Sequence, residues 1–393
     1  MAIQIPTLNE LYNDIKSQLE SELNITIPLF GKSYLRVIAI VWATKLKLYY
    51  LAIGNVQKNI FVDTADPEAI GGTLERFGRI KLGRSPFPAS AGVYDIQVTG
   101  TIGATIAANT TFKANDDSLA PGKLFILDTA YVLVSTTDTI TVRALEVGID
   151  SRLDIGNQLT STAPIANVDS LATVLAENTQ PLAAETIEDY RSKVIEAFRL
   201  EPQGGAGADY RLWSNDAQAV RRVYPYNKQG FPNEIEIYVE ATIVDSIDSK
   251  GTPSTALLND VEAVVEFDPD TTKPLNERGR RPLGVFNIDF NPITVREIDI
   301  TITGFVNLTL DKQTAITNLI ESRLYDVRPF VDSIDILADK NNQLSANSII
   351  FMIQEAVQGA SFGSVDMYVD GVLTPSIDFM LGDIPHLNSI NFV

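Results

Sequence analysis

The sequence predicts an α+β protein of several domains, with an N-terminal helical arm, a β-rich middle domain and α/β C-terminal domains. The chain has 393 residues, which is too long for one ordinary hydrophobic core and favours about two to four domains. Apolar residues recur at three- and four-residue steps near the N-terminus and at every second residue from Gly92 onward. Strand-like and helix-like segments then alternate between residues 234 and 325, as in α/β layers.

Two helices form the predicted arm, residues 1–60. Thr7 and Glu10 have the spacing of a capping box, in which each side chain binds the other residue's free backbone amide. Apolar residues follow on one face, so the first helix is predicted from Thr7 to Leu23. The second is predicted from Ser33 to about Lys58.

The second helix is apolar around most of its circumference, and one shorter partner helix cannot cover such a surface. Either the chain's own domains cover it, or a second chain does. The residues predicted to form the interface are Leu35, Ile38, Val41, Trp42, Leu46 and Tyr49. Three cations interrupt the run Tyr34–Ile53, namely Arg36, Lys45 and Lys47, and these charges argue against membrane insertion.

The rest of the chain is predicted in three parts: a β-rich domain at 61–180, an α+β domain at 181–295 and a C-terminal α/β domain at 296–393. Short strands are expected between about residues 85 and 178. The predicted helices are Ile187–Arg199, Asp209–Val220, Thr255–Phe267, Lys312–Tyr325 and Ser348–Val357. Alternation predicts strands at Glu234–Val244 and Ile298–Leu310, with further strands around Met367 and Ile390.

The net charge of −19 argues against nucleic acid as the main partner, because binding phosphates needs clustered Lys and Arg. Residues 1–60 carry six cations and four acids, a net +2, which leaves −21 for the remainder. Two basic clusters stand out in that remainder. Their arginines are suited either to docking acidic surfaces of a neighbour or to pairing within the chain: Arg76, Arg84, Arg280 and Arg281.

The residues needed for common catalytic sites are missing. No cysteine is present, and His386 is the only histidine, so we expect no catalytic site, no metal site and no cofactor. His386 is expected to be a surface or packing residue. Gly31-Lys32-Ser33 matches only the end of a phosphate-binding loop, because Thr26 stands where that loop needs glycine. Asp268 and Asp270 lack the rest of a calcium loop.

Four segments follow one another along the chain: FVDTADPEAIGGTLERFGRIKLGRSPFPASAGVYDIQVTG at 61–100, VRALEVGIDSRLDIGN at 142–157, AETIEDYRSKV at 184–194 and PQGGAGADYRLW at 202–213. In this order they resemble the baseplate J-like family. We call these the family-like segments. The family usually has proline and glycine where this chain has Ala107 and Asn109, and asparagine best tolerates the left-handed backbone in place of that glycine.

The resemblance implies a structural wedge subunit of a contractile phage tail baseplate or a related injection machine. Such proteins form a ring around the tail hub and take part in the switch that triggers sheath contraction. The implied partners are other wedge proteins, further copies of the chain, and tail hub and sheath-proximal proteins. The implied location is the virion tail baseplate, with host cytoplasm during assembly. The resemblance also favours another wedge chain as the partner of the apolar arm.

Two other function classes stay open at this point. A tail fibre or adhesin would recognise a host surface through its β-rich segments, although the sequence shows no repeat typical of fibres. A carboxylate-based tail hydrolase could use the abundant acids, but abundance alone does not place two carboxylates in one cleft.

Overall fold

The computed structural model describes residues 5–27, 34–67, 72–332 and 334–393. The chain divides into two compact units. The first unit comprises residues 1–86 and 187–198, and the second comprises residues 87–186 and 199–393. In the described part of the chain there are eight α-helices and seventeen strands, so the predicted α+β class is confirmed.

The first unit is helical. Its helices are α1 (Leu8–Leu23), α2 (Tyr34–Lys58), α3 (Thr73–Lys81) and α4 (Ile187–Arg199). The predicted capping box of α1 is confirmed: Thr7 Oγ1 accepts from the Glu10 amide at 3.2 Å, and the Glu10 carboxylate accepts from the Thr7 amide at 2.7 Å. The ends of α1, α2 and α4 agree with the prediction, while Ser33 and the loop Gly31-Lys32-Ser33 lie outside the described residues.

The second unit begins with a closed barrel of antiparallel strands. Its strand order is β1-β6-β4-β3-β7-β8, where β1 is Val93–Gly100, β3 Thr111–Ala114, β4 Leu124–Ile126, β6 Thr137–Ala144, β7 Gln158–Ser161 and β8 Val168–Thr179. A short pair, β2 (Thr105–Ile106) and β5 (Tyr131–Val132), accompanies it. The alternation in β1 points Tyr94, Ile96 and Val98 into the core, where all three are fully buried. Asn109 has a φ of 66°, which confirms the expected left-handed turn.

A three-stranded sheet with two helices follows the barrel. The elements are α5 (Gly207–Ser214), β9 (Val220–Asn227), β10 (Glu234–Ala241), α6 (Thr255–Glu266) and β11 (Asn287–Pro292). In the strand order β11-β10-β9, β11 is parallel and β9 antiparallel to β10.

The predicted helix Asp209–Val220 is wrong over its second half. The helix ends at Ser214, Ala219 takes a left-handed φ of 67°, and Val220 begins β9. Val220, Val223 and Tyr224 are buried in that strand, so tertiary burial decides its conformation. The predicted strand from Glu234 also ends earlier than expected, at Ala241.

The C-terminal part is a four-stranded sheet with two helices. The elements are β12 (Thr294–Thr303), α7 (Leu310–Asp326), β13 (Gln343–Ser345), α8 (Ala346–Ala356), β14 (Ser364–Val369), β15 (Val372–Leu373), β16 (Ser376–Asp378) and β17 (Asp383–Phe392). The sheet order is β15-β14-β12-β17. The predicted strand Ile298–Leu310 ends too late, because Gly304 and Asn307 turn the chain with positive φ values and Thr309 then caps α7.

Candidate interaction surfaces

The small residues of α2 are the ones that face α1. The two helices pack against each other, and the fully buried residues of α2 are Ala39 and Ala43. Farther along α2, a Cβ atom on Gly54 would lie 3.1 Å from Ile5 Cδ1. Lys47 Nζ donates to the Pro6 carbonyl at 2.7 Å. The start of α1 therefore lies near the end of α2, and α2 turns its small face to its antiparallel partner.

The large apolar side chains of α2 consequently face solvent in the isolated chain. Among the residues predicted as an interface, Val41 is 51% exposed, Trp42 59% and Tyr49 64%. Leu35, Ile38 and Leu46 are half-buried. Within the described residues of the first unit, these three side chains are left more than half exposed, and their contact with a partner stays a prediction.

Among the residues that the structure describes, one helix is long and apolar enough to cross a membrane by length and composition, namely α2, Tyr34–Lys58. Its most apolar stretch has a mean hydropathy of 1.5 and is only 11% buried. Some helices of proteins that never enter a membrane also meet these two criteria. Length and composition therefore do not decide whether lipid or another protein covers α2.

The four arginines predicted for charge docking are used in different ways. Arg76 is exposed on α3. Arg84 donates to the Ser85 carbonyl at 3.1 Å and lies over the Tyr190 ring. Arg280 donates to Asp216 at 2.8 Å, and Arg281 donates from Nε to both oxygens of Glu266 at 2.9 and 3.0 Å. The intrachain alternative is thus realised for Arg280 and Arg281, and docking to a neighbour stays untested.

The first and third family-like segments meet in the first unit around Tyr190. This tyrosine is 1% exposed, and its hydroxyl donates to the Arg84 carbonyl at 2.7 Å. A Cβ atom on Gly78 would lie 1.8 Å from that hydroxyl oxygen, so only glycine leaves room for it. The next residue, Arg191, donates from Nη1 to the carbonyls of Val62 at 2.7 Å and Ala65 at 3.1 Å. The Tyr-Arg pair therefore connects α4 to the segment after α3 and to residues 62–65 within this unit.

The fourth segment folds around the buried carboxylate of Asp209. Its Oδ1 accepts from the Gln203 amide at 2.8 Å, while its Oδ2 accepts from the amides of Gly205 and Ala206. These amides belong to the glycine-rich linker that precedes α5, so Asp209 supplies the anion that this helix start favours. The amides of the glycine-rich linker are thus bound by a carboxylate of the chain itself.

A buried ionic joint connects the middle sheet with the end of α7. Glu240 is 2% exposed and accepts from Arg221 at 2.6 Å, from Arg328 at 3.1 Å and from the Tyr224 hydroxyl at 2.6 Å. Both guanidinium groups also lie over the Tyr325 ring. Burial alone would raise the pKa of Glu240, but Arg328 and Arg221 outweigh it and hold the pKa below its usual value.

A second joint of this kind ties α5 to the segment after α7. The Arg211 side chain is 1% exposed and donates to Asp335 at 2.6 Å. Burial would raise the pKa of Asp335, yet the bond from Arg211 lowers it overall. The sequence analysis does not predict these joints, because Arg328 lies 88 positions from Glu240 and Asp335 lies 124 positions from Arg211, and no local pattern marks either pair.

The histidine and the two aspartates considered as candidate chemical groups lie in ordinary structural surroundings. His386 is half-buried on β17, and burial together with Lys250 lowers its pKa. Asp268 binds Lys273 at 2.8 Å, and Asp270 binds the Thr272 hydroxyl at 2.6 Å. Over the described ranges, no group of three or more His, Cys, Asp or Glu side chains is arranged to hold a metal ion.

Comparison with known proteins gives partial similarities. No family model matches the chain. It is 26% identical over 133 residues to the Mu-like prophage FluMu protein gp47 of Haemophilus influenzae, covering 34% of this chain and 36% of that protein. It is 28% identical over 87 residues to protein JayE of Escherichia coli K12, covering 22% of this chain and 33% of that protein. The chain thus spans about a third of the length of these curated relatives.

One solved structure with a similar chain is that of the anti-feeding prophage (AFP) baseplate, determined by cryo-EM with sixfold symmetrisation. The match covers 97% of this chain and 90% of that chain, with 8% identity and a TM-score of 0.45. The sequence similarity to a prophage protein agrees with the resemblance to phage structural proteins at this coarse level. Membership of the baseplate J-like family itself stays a prediction.

Proposed function

We propose that the chain is a structural wedge subunit in the baseplate of a contractile phage tail or a phage-derived injection machine. The observation that carries the proposal is the exposed face of α2, where Trp42 and Tyr49 are more than half exposed on a well-formed helix. A soluble monomer gains nothing from such a face, whereas an assembly buries it. The sequence similarity to a prophage protein and the four family-like segments support the same role.

The proposed partner of the arm is another wedge chain, joined in a helical bundle. Helix α2 supplies the apolar face and carries four cations with no acid, while α1 carries four acids and one lysine. An amphipathic acidic helix would match α2 in both respects. Copies of the chain would sit in a ring around the tail hub and also contact sheath-proximal proteins. We keep the four predicted domains, 1–60, 61–180, 181–295 and 296–393, as part of this proposal.

The proposed mechanism is a shift between two packings of the interfaces, with no chemical step. The family-like segments serve structure in the described residues: Tyr190 and Asp209 both bind backbone groups of their own chain. A subunit of this kind would reside in the virion tail and pass through the host cytoplasm during assembly.

The position of the subunit in intact particles tests the proposal. A chain carrying a small electron-dense label at Val393, which is 78% exposed, should appear as several copies between the tail hub and the outer baseplate. A label found along distal fibres would support a host-binding adhesin instead. Particles that lack the label altogether would contradict both roles.

Removal of residues 1–58 tests the role of the arm within the proposal. The remaining chain should stay folded by circular dichroism, become more soluble and no longer enter baseplates. Normal incorporation of the shortened chain would show that the arm is not an assembly element.

A further inference from the structure

The last strand of the C-terminal sheet has one side without a neighbouring strand. In the order β15-β14-β12-β17, strand β17 stands at the end and runs parallel to β12. Among the described residues, no strand is hydrogen-bonded to its other side. Pro385 has no amide to donate, so the side that can accept a further strand begins after it. We call this side of β17, over residues 386–392, the open edge.

The open edge carries no charge that would prevent pairing with another strand. Residues 384–393 read IPHLNSINFV and contain no Asp, Glu, Lys or Arg. His386 is neutral at pH 7, because burial lowers its pKa. Edge strands of native proteins usually carry charged side chains, lysine above all, which keep other strands from adding to the sheet. This protection is missing from β17.

The end strands of the other open sheets are less suited to pairing. At the opposite edge of the same sheet, β15 has only two residues. In the three-stranded sheet, β11 contains Asp289 and ends at Pro292. Side chains of β9 bind the carbonyls of Tyr325 and Phe330, so the chain after α7 lies beside that strand. Of these four end strands, β17 alone combines length, absence of charge and an unoccupied side within the described residues.

The hydrophobic core is incompletely covered at the open edge. Three apolar residues of β17 lie on the core face of the sheet, namely Leu387, Ile390 and Phe392. The isoleucines opposite them on β12 are fully buried, whereas these three residues are only half-buried. A further strand beside β17 would cover them with its own core-facing side chains, as neighbouring strands do inside a sheet.

The opposite face of β17 is polar, and its one charged neighbour is already bound. Ser389 Oγ and Asn388 Nδ2 donate to Asp299 Oδ1 on β12 at 2.6 and 2.8 Å. Asn391 is exposed on the same face. A strand that adds here therefore needs apolar residues at every second position and uncharged polar residues between them.

We propose that the open edge binds an extended segment of another protein, which adds to the sheet as a fifth strand. Backbone amides and carbonyls would supply the hydrogen bonds, and the half-buried residues of β17 would select apolar side chains at alternate positions. A second copy of this chain brings a further net charge of −19, so a segment from a less acidic protein is favoured. The open edge belongs to the second unit, and its role does not rest on the baseplate proposal.

A designed peptide tests the open edge in the purified full chain. The probe is a cyclic β-hairpin that presents one free strand of alternating valine and threonine. It should slow hydrogen exchange of the amides in residues 387–392 at least tenfold. The same hairpin with its free strand N-methylated cannot form the backbone bonds and should have no effect. Equal effects of the two hairpins, or no protection by the unmodified one at its highest soluble concentration, would overturn the proposal.

Two lysine variants on adjacent residues give a second test. Ile390→Lys places a charge on the core face, where an added strand would bury it, and should weaken hairpin binding at least tenfold. Asn391→Lys is the matched control, because its charge stays in solvent on the other face, and it should bind the hairpin as the wild type does. Circular dichroism checks that both variants fold, and the comparison of the two hairpins on the wild type decides if Ile390→Lys does not.

Two further outcomes would contradict the proposal. Equal binding of the hairpin by folded Ile390→Lys and Asn391→Lys would show that the core face of β17 does not contact it. Protection of residues 387–392 that rises with protein concentration, without any hairpin, would assign the open edge to a second copy. Neither outcome bears on the baseplate role, which depends on the position of the subunit in particles.

Discussion

The barrel buries its large apolar residues, whereas the helical hairpin α1–α2 leaves several of its large apolar residues exposed. The barrel closes on itself and buries aromatic and branched side chains completely, among them Tyr94, Phe112 and Phe125. The hairpin buries Ala39 and Ala43 and leaves Trp42 more than half exposed. Both regions are rich in apolar residues, so apolar content alone does not show whether the large side chains are buried within the chain. The direction in which those side chains point distinguishes the two regions.

This difference separates a barrel whose core is closed within one chain from a hairpin that, under the proposed function, a partner chain completes. A closed barrel has no free sheet edge and needs no partner. A two-helix hairpin with an all-round apolar helix leaves one face without a cover. Stability should therefore depend on the barrel core, and assembly on the outward face of α2.

The largest effect is expected in the barrel core. Phe112→Ala should lower the local free energy of unfolding by about 3 to 5 kcal/mol, because it removes a fully buried ring and leaves a cavity. Native-state hydrogen exchange of the barrel amides would measure this loss. Leu171→Ala, at a 44% exposed position on β8, is the control and should change stability by less than about 0.5 kcal/mol. Equal effects of the two changes would mean that the barrel is not self-contained.

The buried ionic joint is a third kind of contact, and its contribution to stability can be measured with a substitution of Glu240. Glu240→Gln should cost about 1 to 3 kcal/mol. The figure is moderate because Arg221 keeps the Tyr325 carbonyl and Arg328 keeps the Leu324 carbonyl as partners. Protection of β9 and β10 amides from exchange would report the loss.

The same joint should make stability depend on pH. The pKa of Glu240 is lowered in the folded chain, so its stabilising contribution is present above the ordinary carboxyl pKa and is lost as pH falls through the folded value. Acidification should therefore destabilise the wild type more than Glu240→Gln. Parallel losses in the two proteins would show that the joint does not contribute in this way.

The smallest effect on the folded chain is expected at Trp42. Trp42→Asp should change the stability of the isolated protein by less than about 0.5 kcal/mol, because the side chain is mostly in solvent. The same change should weaken binding to an assembly partner by a few kcal/mol, as at a buried aromatic anchor. Its neighbour Ala43 provides the contrast: Ala43→Asp places an unpaired charge in the hairpin contact and should unfold the hairpin.

Local patterns in the sequence were enough to predict much of the fold. The capping box at Thr7, the helix Ile187–Arg199 and the inward face of β1 all depend on neighbours in the chain. Closure of the barrel and the strand from Val220 depend on distant residues, which periodicity does not report. Pairings such as Arg211 with Asp335 lie in the same class.

The sequence likewise predicts those features of the candidate surfaces that depend on local spacing, but not those that depend on residues distant in the chain. Helical spacing identified the apolar circumference of α2, but the choice of its small face for α1 depends on how two helices pack. The basic cluster at Arg280 and Arg281 was visible in sequence as charge. The ion pairs of these two arginines depend on Glu266 and Asp216, which only the fold brings near.

The accessibility of one engineered thiol on α2 shows whether a partner covers this helix in assembled particles. Trp42→Cys places the only thiol of the chain on the outward face of α2, and its reaction rate with a maleimide can be compared in isolated protein and in assembled particles. We predict fast reaction in the isolated chain and protection by at least tenfold in the particle, while Leu171→Cys on the barrel reacts similarly in both. A cysteine at position 42 that stays equally reactive in fully assembled baseplates would show that no partner covers this face, and would contradict the proposed assembly role of the arm.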